Sequence, residues 1–210
     1  MSGPFRSTVS IHRMLTTVAI RRIGEGCHVV GYPIREGKFF NIVLTQKAIH
    51  TVGTAYVVGV SSAEVRNLYK DWDPNLRKIL EFLPDPVLEW RLCDMEPMDS
   101  WIFPGGKICL LGDACHTMLP SAAQGAGMSI EDGAAIAELL ARATDESDIH
   151  RILKTYQKMR LPRCADIISN ARSDAKKLQG RDSKAKAGAS SLWSWDYDVI
   201  KVASSITLEA

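Results

Sequence analysis

The sequence has no apolar run approaching the roughly 18 residues that a membrane-crossing helix needs, so no integral membrane segment is expected. It also lacks Cys-x-x-Cys spacing. Its five cysteines, Cys27, Cys93, Cys109, Cys115 and Cys164, are scattered and odd in number. That pattern argues against a disulfide framework and for reduced thiols in a cytoplasmic setting. Neither sign of charge dominates: 26 Lys and Arg stand against 24 Asp and Glu, a formal net charge of +2, so no general affinity for nucleic acid or anionic lipid is implied. There is no Gly-x-Ser-x-Gly, and a hydrolase has little support. No internal repeat or low-complexity block is visible. The first acid is Glu25, after Arg6, Arg13, Arg21 and Arg22; this has a faint transit-peptide character, but the segment leads straight into a strand pattern and reads better as a solvated strand and loop. What is present is ordinary globular composition, 46% hydrophobic and 24% charged over 210 residues, enough for one good-sized core or one and a half.

Residues 4–60 read as strands, Phe5 to Ile11, Leu15 to Ile20, Cys27 to Tyr32, Phe39 to Thr45 and Thr54 to Val60, parted by Gly-Glu-Gly and Arg-Glu-Gly-Lys turns. The connections are too short for crossover helices, so the sheet should be antiparallel. His28 and Tyr32 are four apart and share a face of their strand. A phenol and an imidazole on one face can relay a proton to or from a substrate hydroxyl; the plain alternative is a pair of half-buried sheet residues. Helices are expected over Ser62 to Trp72, capped by Ser61, and over Pro74 to Leu83, capped by Asp73. Trp72 and Trp90 read as core or lid packing. A strand over Val87 to Met95 and a linker through Pro97 and Pro104 lead to the most informative stretch.

That stretch runs from Gly106 to Asp132. Ile108 to Leu111 is a short apolar run, expected to be a strand covered on both faces, and Gly112 turns the chain out of it. Asp113 then lies at the strand's carboxyl end, where open α/β sheets hold ligands, and a carboxylate there accepts hydrogen bonds from sugar-like hydroxyls. After Pro120, Gln124-Gly125-Ala126-Gly127-Met128 removes side chains, so backbone N–H groups can approach a flat ligand. Ser129 with Asp132 fits a capping pattern for a helix over Ile130 to Arg142, whose first turn would favour negative charge. Cys115-His116 could suggest a nucleophile pair or metal site, but neighbours on one loop rarely converge and no third ligand stands at useful spacing. A buried thiol and a loop imidazole are expected, and no metal. Gly24-Glu-Gly26 carries two glycines of a dinucleotide fingerprint without the helix that must follow. Asp148 caps a long apolar pattern through Leu178, with Pro162 expected to kink it.

The run GDACHTMLPSAAQGAGMSIEDGAAIAELL resembles the second flavin-binding motif of the FAD-dependent aromatic-ring monooxygenases, most closely the fungal salicylate-hydroxylase-like branch. Cys27 to Ile42, with its His-x-x-x-Tyr-Pro strand, is similar to that family's substrate-domain hairpin, Pro4-Phe5-Arg6 to a strand returning beneath the flavin, and Leu192 to Asp198 to an aromatic-Asp sequence near the carboxyl end. The resemblance implies an α/β fold with α+β character: an antiparallel substrate sheet with helices (1–104), the carboxyl-terminal part of an FAD-binding domain (105–180) and a tail (181–210). It implies FAD as cofactor, NAD(P)H as co-substrate, and a small aromatic or polyketide-like substrate that receives one oxygen from O2. By position, Asp113 beside Gly112 would hold the ribityl chain, Pro120 would border the ring, and the backbone of Gln124, Gly125, Ala126, Gly127 and Met128 would meet it. Tyr32, helped by His28 or Arg6, would orient or deprotonate the substrate; the plain reading of Arg6 is a surface arginine. Family members begin with a βαβ unit that cradles the FAD pyrophosphate, and this sequence starts beyond it. Three readings therefore stay open: a truncated monooxygenase, one piece of a split enzyme completed by a partner chain bearing the nucleotide-binding half, or a binding protein without redox chemistry. Without the helix-terminus phosphate site, autonomous tight FAD binding is not expected.

Overall fold

The computed structural model describes residues 20–24, 27–46, 56–93, 95–120, 123–179 and 196–209. The chain forms two compact units, one of Met1–Arg91 with Leu178–Gly180, the other of Leu92–Lys177 with Arg181–Ala210. Among the described residues no helix is long and apolar enough to cross a membrane.

In the first unit, β1 (Ile20–Gly24), β2 (Cys27–Ile34) and β3 (Phe39–Thr45) make an antiparallel meander in that order. The β2–β3 turn places Arg35, Glu36 and Gly37 at φ of 49°, 58° and 80°, and Gly37 N–H closes it on Ile34 C=O at 3.1 Å. Along β2, Val29 and Gly31 are buried while Tyr32 and Ile34 are exposed, which is the alternation of a sheet with one wet face. β4 (Val57–Val60) pairs antiparallel with β5 (Val87–Trp90). Between them, α1 (Ser62–Leu68) is capped by Ser61, whose Oγ accepts from Ala63 N–H at 3.2 Å. α2 (Pro74–Leu80) is capped by Asp73, which accepts from Asn75 and Leu76 N–H, with Pro74 at the position that needs no donor. Val29, Val65, Tyr69, Leu76 and Leu80 form the core. Trp72 packs edge-on to Tyr69 at 5.0 Å. It also lies so close to Gly24 that a Cβ there would fall 2.6 Å from the indole. Trp90, by contrast, is exposed. The strand expected over Phe5 to Ile11 lies outside the described residues, as does the one expected from Leu15 except for its last residue, Ile20, which opens β1.

The second unit is helical: α3 (Asp113–His116), α4 (Gly125–Leu140), α5 (Asp148–Gln179) and α6 (Val199–Ser205). α4 packs on α6. The core joins Trp101, Met128, Ala135, Leu139, Ile152, Tyr156, Met159, Cys164, Ile167 and Ala203, so the apolar stripe expected along α5 is its buried face. α5 runs through Pro162 as one 32-residue helix. Asp148 turns its carboxylate back onto Thr144 N–H and Oγ1 at 2.9 and 2.8 Å.

Two expectations need correction. Ile108 to Leu111 is not a doubly covered strand. It is the return arm of a tight hairpin turning at Gly105 and Gly106, joined to the outward arm by one antiparallel bridge, Ile102↔Cys109. Ile108 is 63% and Leu111 41% exposed. An apolar run becomes a buried strand only where strands flank it, and among the described residues the outward arm of its own hairpin is all that pairs with it. Second, the helix after the glycines starts at Gly125, five residues before its expected start, with no side-chain cap. Ser129 is already inside it, bonding back to Gly125 C=O at 3.1 Å, and Asp132 caps nothing. It serves a different purpose.

Candidate functional site

Gly112 leaves the hairpin at φ 59° and ψ −143°, a conformation open almost only to glycine that would cost another residue on the order of 1–3 kcal/mol. A Cβ at Gly112 would also stand 2.9 Å from Ser129 Oγ. Glycine is therefore required twice, for the turn and for the close approach of the turn to α4. Asp113 follows as the first residue of α3, exposed to solvent.

Asp132 explains why the turn sits where it does. Its carboxylate is fully buried, and Oδ2 accepts from Gly112 N–H at 2.9 Å and meets His116 Nε2 at 2.6 Å. Oδ1 accepts from Arg160 Nε at 2.8 Å. Arg160 is itself fully buried, and donates further to Glu131 at 2.5 Å and to Met128 C=O at 3.3 Å. Arg163 grips Glu131 with two bonds, at 2.8 and 2.7 Å, and its guanidinium lies 3.9 Å from the Tyr197 ring centroid. Burial would depress the imidazole of His116, but Asp132 and Cys164, by hydrogen bonding and charge together, outweigh it and hold His116 well above its usual value. Burial pushes Asp132 up, yet His116, Arg160 and the Gly112 N–H together bring it below the usual carboxylate range. Both groups are thus held charged.

Cys115, His116 and Asp132 bring three ligand-type atoms within 4.8 Å of one another. A third group does therefore stand beside Cys115 and His116, and His116 is buried under Trp101, 5.7 Å between rings, not on an open loop. The cluster does not suit a cation. Both Asp132 oxygens are already bonded, one of them to a buried guanidinium, and burial pushes the Cys115 thiol up to about 12, away from the thiolate a metal needs.

Gln124 to Met128 open α4. The first-turn N–H groups of Gly125, Ala126 and Gly127 have no acceptor within the helix, whereas Met128 N–H bonds to Gln124 C=O at 2.8 Å. The Met128 side chain is fully buried in the core, so it faces away from any ligand. Cβ atoms added at Gly125 and Gly127 would come no nearer than 3.9 Å to Met118 and 3.6 Å to Gln124. Among the described residues no packing contact demands these glycines, though each costs about 1 kcal/mol against alanine inside a helix. They leave an open backbone face. Ala123, just before it, takes φ +52°, and the buried Gln124 Nε2 has no hydrogen-bond partner among the described residues. A bare helix start with an orphaned amide, and an exposed carboxylate on the turn that approaches α4 at Ser129, fit a flat, hydroxylated, electron-rich group. Pro120 borders the same loop and is exposed.

In the first unit, His28 and Tyr32 lie on the face of β2 opposite Val29, paired with Thr45 and Asn41 of β3; Tyr32 is 41% exposed. Arg6 lies outside the described residues, as does Trp195. The Asp132, Arg160, Glu131 and Arg163 cluster was missed by sequence reasoning. The signal was the adjacent acids Glu131-Asp132 and the pair Arg160 and Arg163, one turn apart in an otherwise apolar stripe.

Comparison with known proteins gives a consistent set. Residues 80–171 match the family model described as FAD binding domain. The FAD-dependent monooxygenase atnJ of Arthrinium sp is 30% identical over 172 residues, 82% of this chain and 40% of that protein. The 3-hydroxybenzoate 6-hydroxylase 1 of Aquipseudomonas alcaligenes is 37% identical over 149 residues, 71% of this chain and 36% of that one. Among solved structures, a salicylate hydroxylase substrate complex superposes with a TM-score of 0.75 at 25% identity, covering 90% of this chain and 49% of that one. CtdE in complex with FAD and substrate gives a TM-score of 0.80 at 24% identity, covering 93% and 51%. The chain thus spans about two fifths of these curated relatives.

Proposed function

Because this chain belongs to the aromatic-hydroxylase family of FAD-dependent monooxygenases, we propose that it carries the ribityl and ring contacts of a flavin site and takes part in hydroxylating a small aromatic or polyketide-like molecule. The observation that carries this reading is the exposed Asp113 on a turn held against the bare, glycine-opened start of α4. Asp113 would accept hydrogen bonds from the ribityl hydroxyls. The first-turn N–H groups of Gly125, Ala126 and Gly127, at the positive end of a 16-residue helix, would stabilise negative charge on the ring. Pro120 would limit its movement. When bound, FAD would supply the redox chemistry, with two electrons drawn from NAD(P)H, one oxygen atom of O2 going to the substrate and the other leaving as water.

Tyr32 on β2, with His28 or Arg6, would orient the substrate hydroxyl and take its proton, raising electron density on the ring to be attacked. None of the five cysteines is in a disulfide, which supports a cytoplasmic site of action. The test is NAD(P)H oxidation stimulated by hydroxybenzoates, with the product identified by its added oxygen. Tyr32→Phe is expected to lower hydroxylation by about 10²-fold or more with flavin content unchanged, and an unaffected rate removes Tyr32 from the mechanism. A second reading, in which a further polypeptide supplies a nucleotide-binding half, is favoured by the exposure of Phe103, Ile108 and Leu111 around the hairpin. It predicts that the isolated amino-terminal half of a relative raises FAD affinity.

A further inference from the structure

The strongest unassigned feature is the buried ionic cluster, because one carboxylate in it touches both ends of the segment that carries Asp113. Gly112 precedes Asp113 and His116 follows it by three residues; both bond to Asp132 Oδ2. Asp113 therefore cannot shift relative to α4 without breaking one of two bonds to a single buried group. Arg160 extends the same constraint to the other flavin contact, since it holds Asp132 through Nε and the first turn of α4 through Met128 C=O. Asp132 is seven residues into α4, about 10 Å from its start along the axis, so the network spans the ribityl side and the ring side of the proposed site.

The helices do not need this cluster to associate. Met128, Ala135 and Leu139 of α4 already share one buried apolar core with Ile152, Tyr156 and Met159 of α5, and a buried ion network adds little net stability over apolar residues of the same volume. What it adds is a fixed register. Resting on the reading that Asp113 and the start of α4 hold the flavin, we propose that Asp132, acting through His116 and Arg160, is a positioning residue that sets the spacing between the ribityl-binding carboxylate and the ring-binding helix start.

The test uses the whole chain and measures FAD affinity by fluorescence quenching, the visible circular dichroism of bound flavin, and far-ultraviolet dichroism of the protein. His116→Phe keeps a ring beneath Trp101 and removes the bond to Asp132. It is expected to weaken FAD binding about tenfold, the loss of one charge-assisted hydrogen bond, and to change the flavin dichroism. His116→Gln, whose amide can donate to Asp132, is expected to stay within about twofold of wild type. Should His116→Phe fail to fold, Arg160→Lys takes its place, with an expected weakening of about threefold. A folded His116→Phe or Arg160→Lys with wild-type affinity and dichroism overturns the proposal. If Asp113→Ala loses FAD while these variants do not, only this inference falls. If Asp113→Ala binds as well as wild type, the flavin reading falls first and takes the inference with it.

Discussion

Replacing Asp132 with Asn is the sharpest stability perturbation available in the second unit. The side chain keeps its shape but offers one acceptor where the carboxylate offers two. If the amide oxygen faces Arg160, the NH2 group confronts Gly112 N–H and His116 Nε2, leaving a buried backbone donor unsatisfied. If it faces Gly112, Arg160 keeps a buried positive charge compensated only by Glu131, which is 16% exposed. Removing one member of a buried charge pair costs about 3–5 kcal/mol, a large share of the roughly 5–15 kcal/mol that holds a domain together. With a urea m-value of about 2 kcal/mol/M, the midpoint should fall by about 2 M. The assay is urea unfolding of the flavin-free chain followed by tryptophan fluorescence, with Glu131→Gln as the milder comparison. A midpoint shift below about 0.5 M at unchanged m would refute the argument that Asp132 is the charged centre of this unit.

The remaining expectations follow from the same geometry. His116 is held above its ordinary value by Asp132, to about 10, so its stabilising contribution is complete below the unfolded value near 6.5 and is lost as pH rises through about 10. Melting temperature should therefore decline across that window in the wild type and much less in His116→Gln; equal profiles would count against a charged His116. Asp132 is held low, so its contribution is present above the ordinary carboxylate value and disappears as pH falls through its lowered one. Cys115 and Cys164 are buried and Cys93 is exposed, and burial pushes Cys115 up to about 12. Iodoacetamide at pH 8 should label Cys93 first and reach Cys115 only after denaturation, as read by peptide mass; early labelling of Cys115 would contradict its placement.

Where local chemistry decides the structure, the sequence was legible. Ser61 and Asp73-Pro74 start their helices where capping chemistry places them, and the alternation along Cys27 to Ile34 puts His28 and Tyr32 on one face of β2. The α5 stripe from Ile152 to Ile168 is buried as its spacing requires. Legibility ended where partners are far apart in sequence. Ile108 to Leu111 is apolar enough for a buried strand, but neighbours decide strand formation, and among the described residues its bridge is to Ile102 alone. Asp132 looks like a capping residue three after Ser129, yet its partners are 16, 20 and 28 residues away, and no local periodicity encodes them. The Gly112-Asp113 turn was readable as a turn; what clamps it was not.

The central claim is that Asp113 and the opening turn of α4 form a flavin site, and FAD titration of the purified chain against its Asp113→Ala variant tests it most directly. Saturable quenching of flavin fluorescence with a shifted visible spectrum, weakened at least about tenfold by the substitution as expected for a lost hydrogen bond to a charged group, is the predicted result. Indistinguishable titrations of the two proteins, or no spectral change with either, would contradict it.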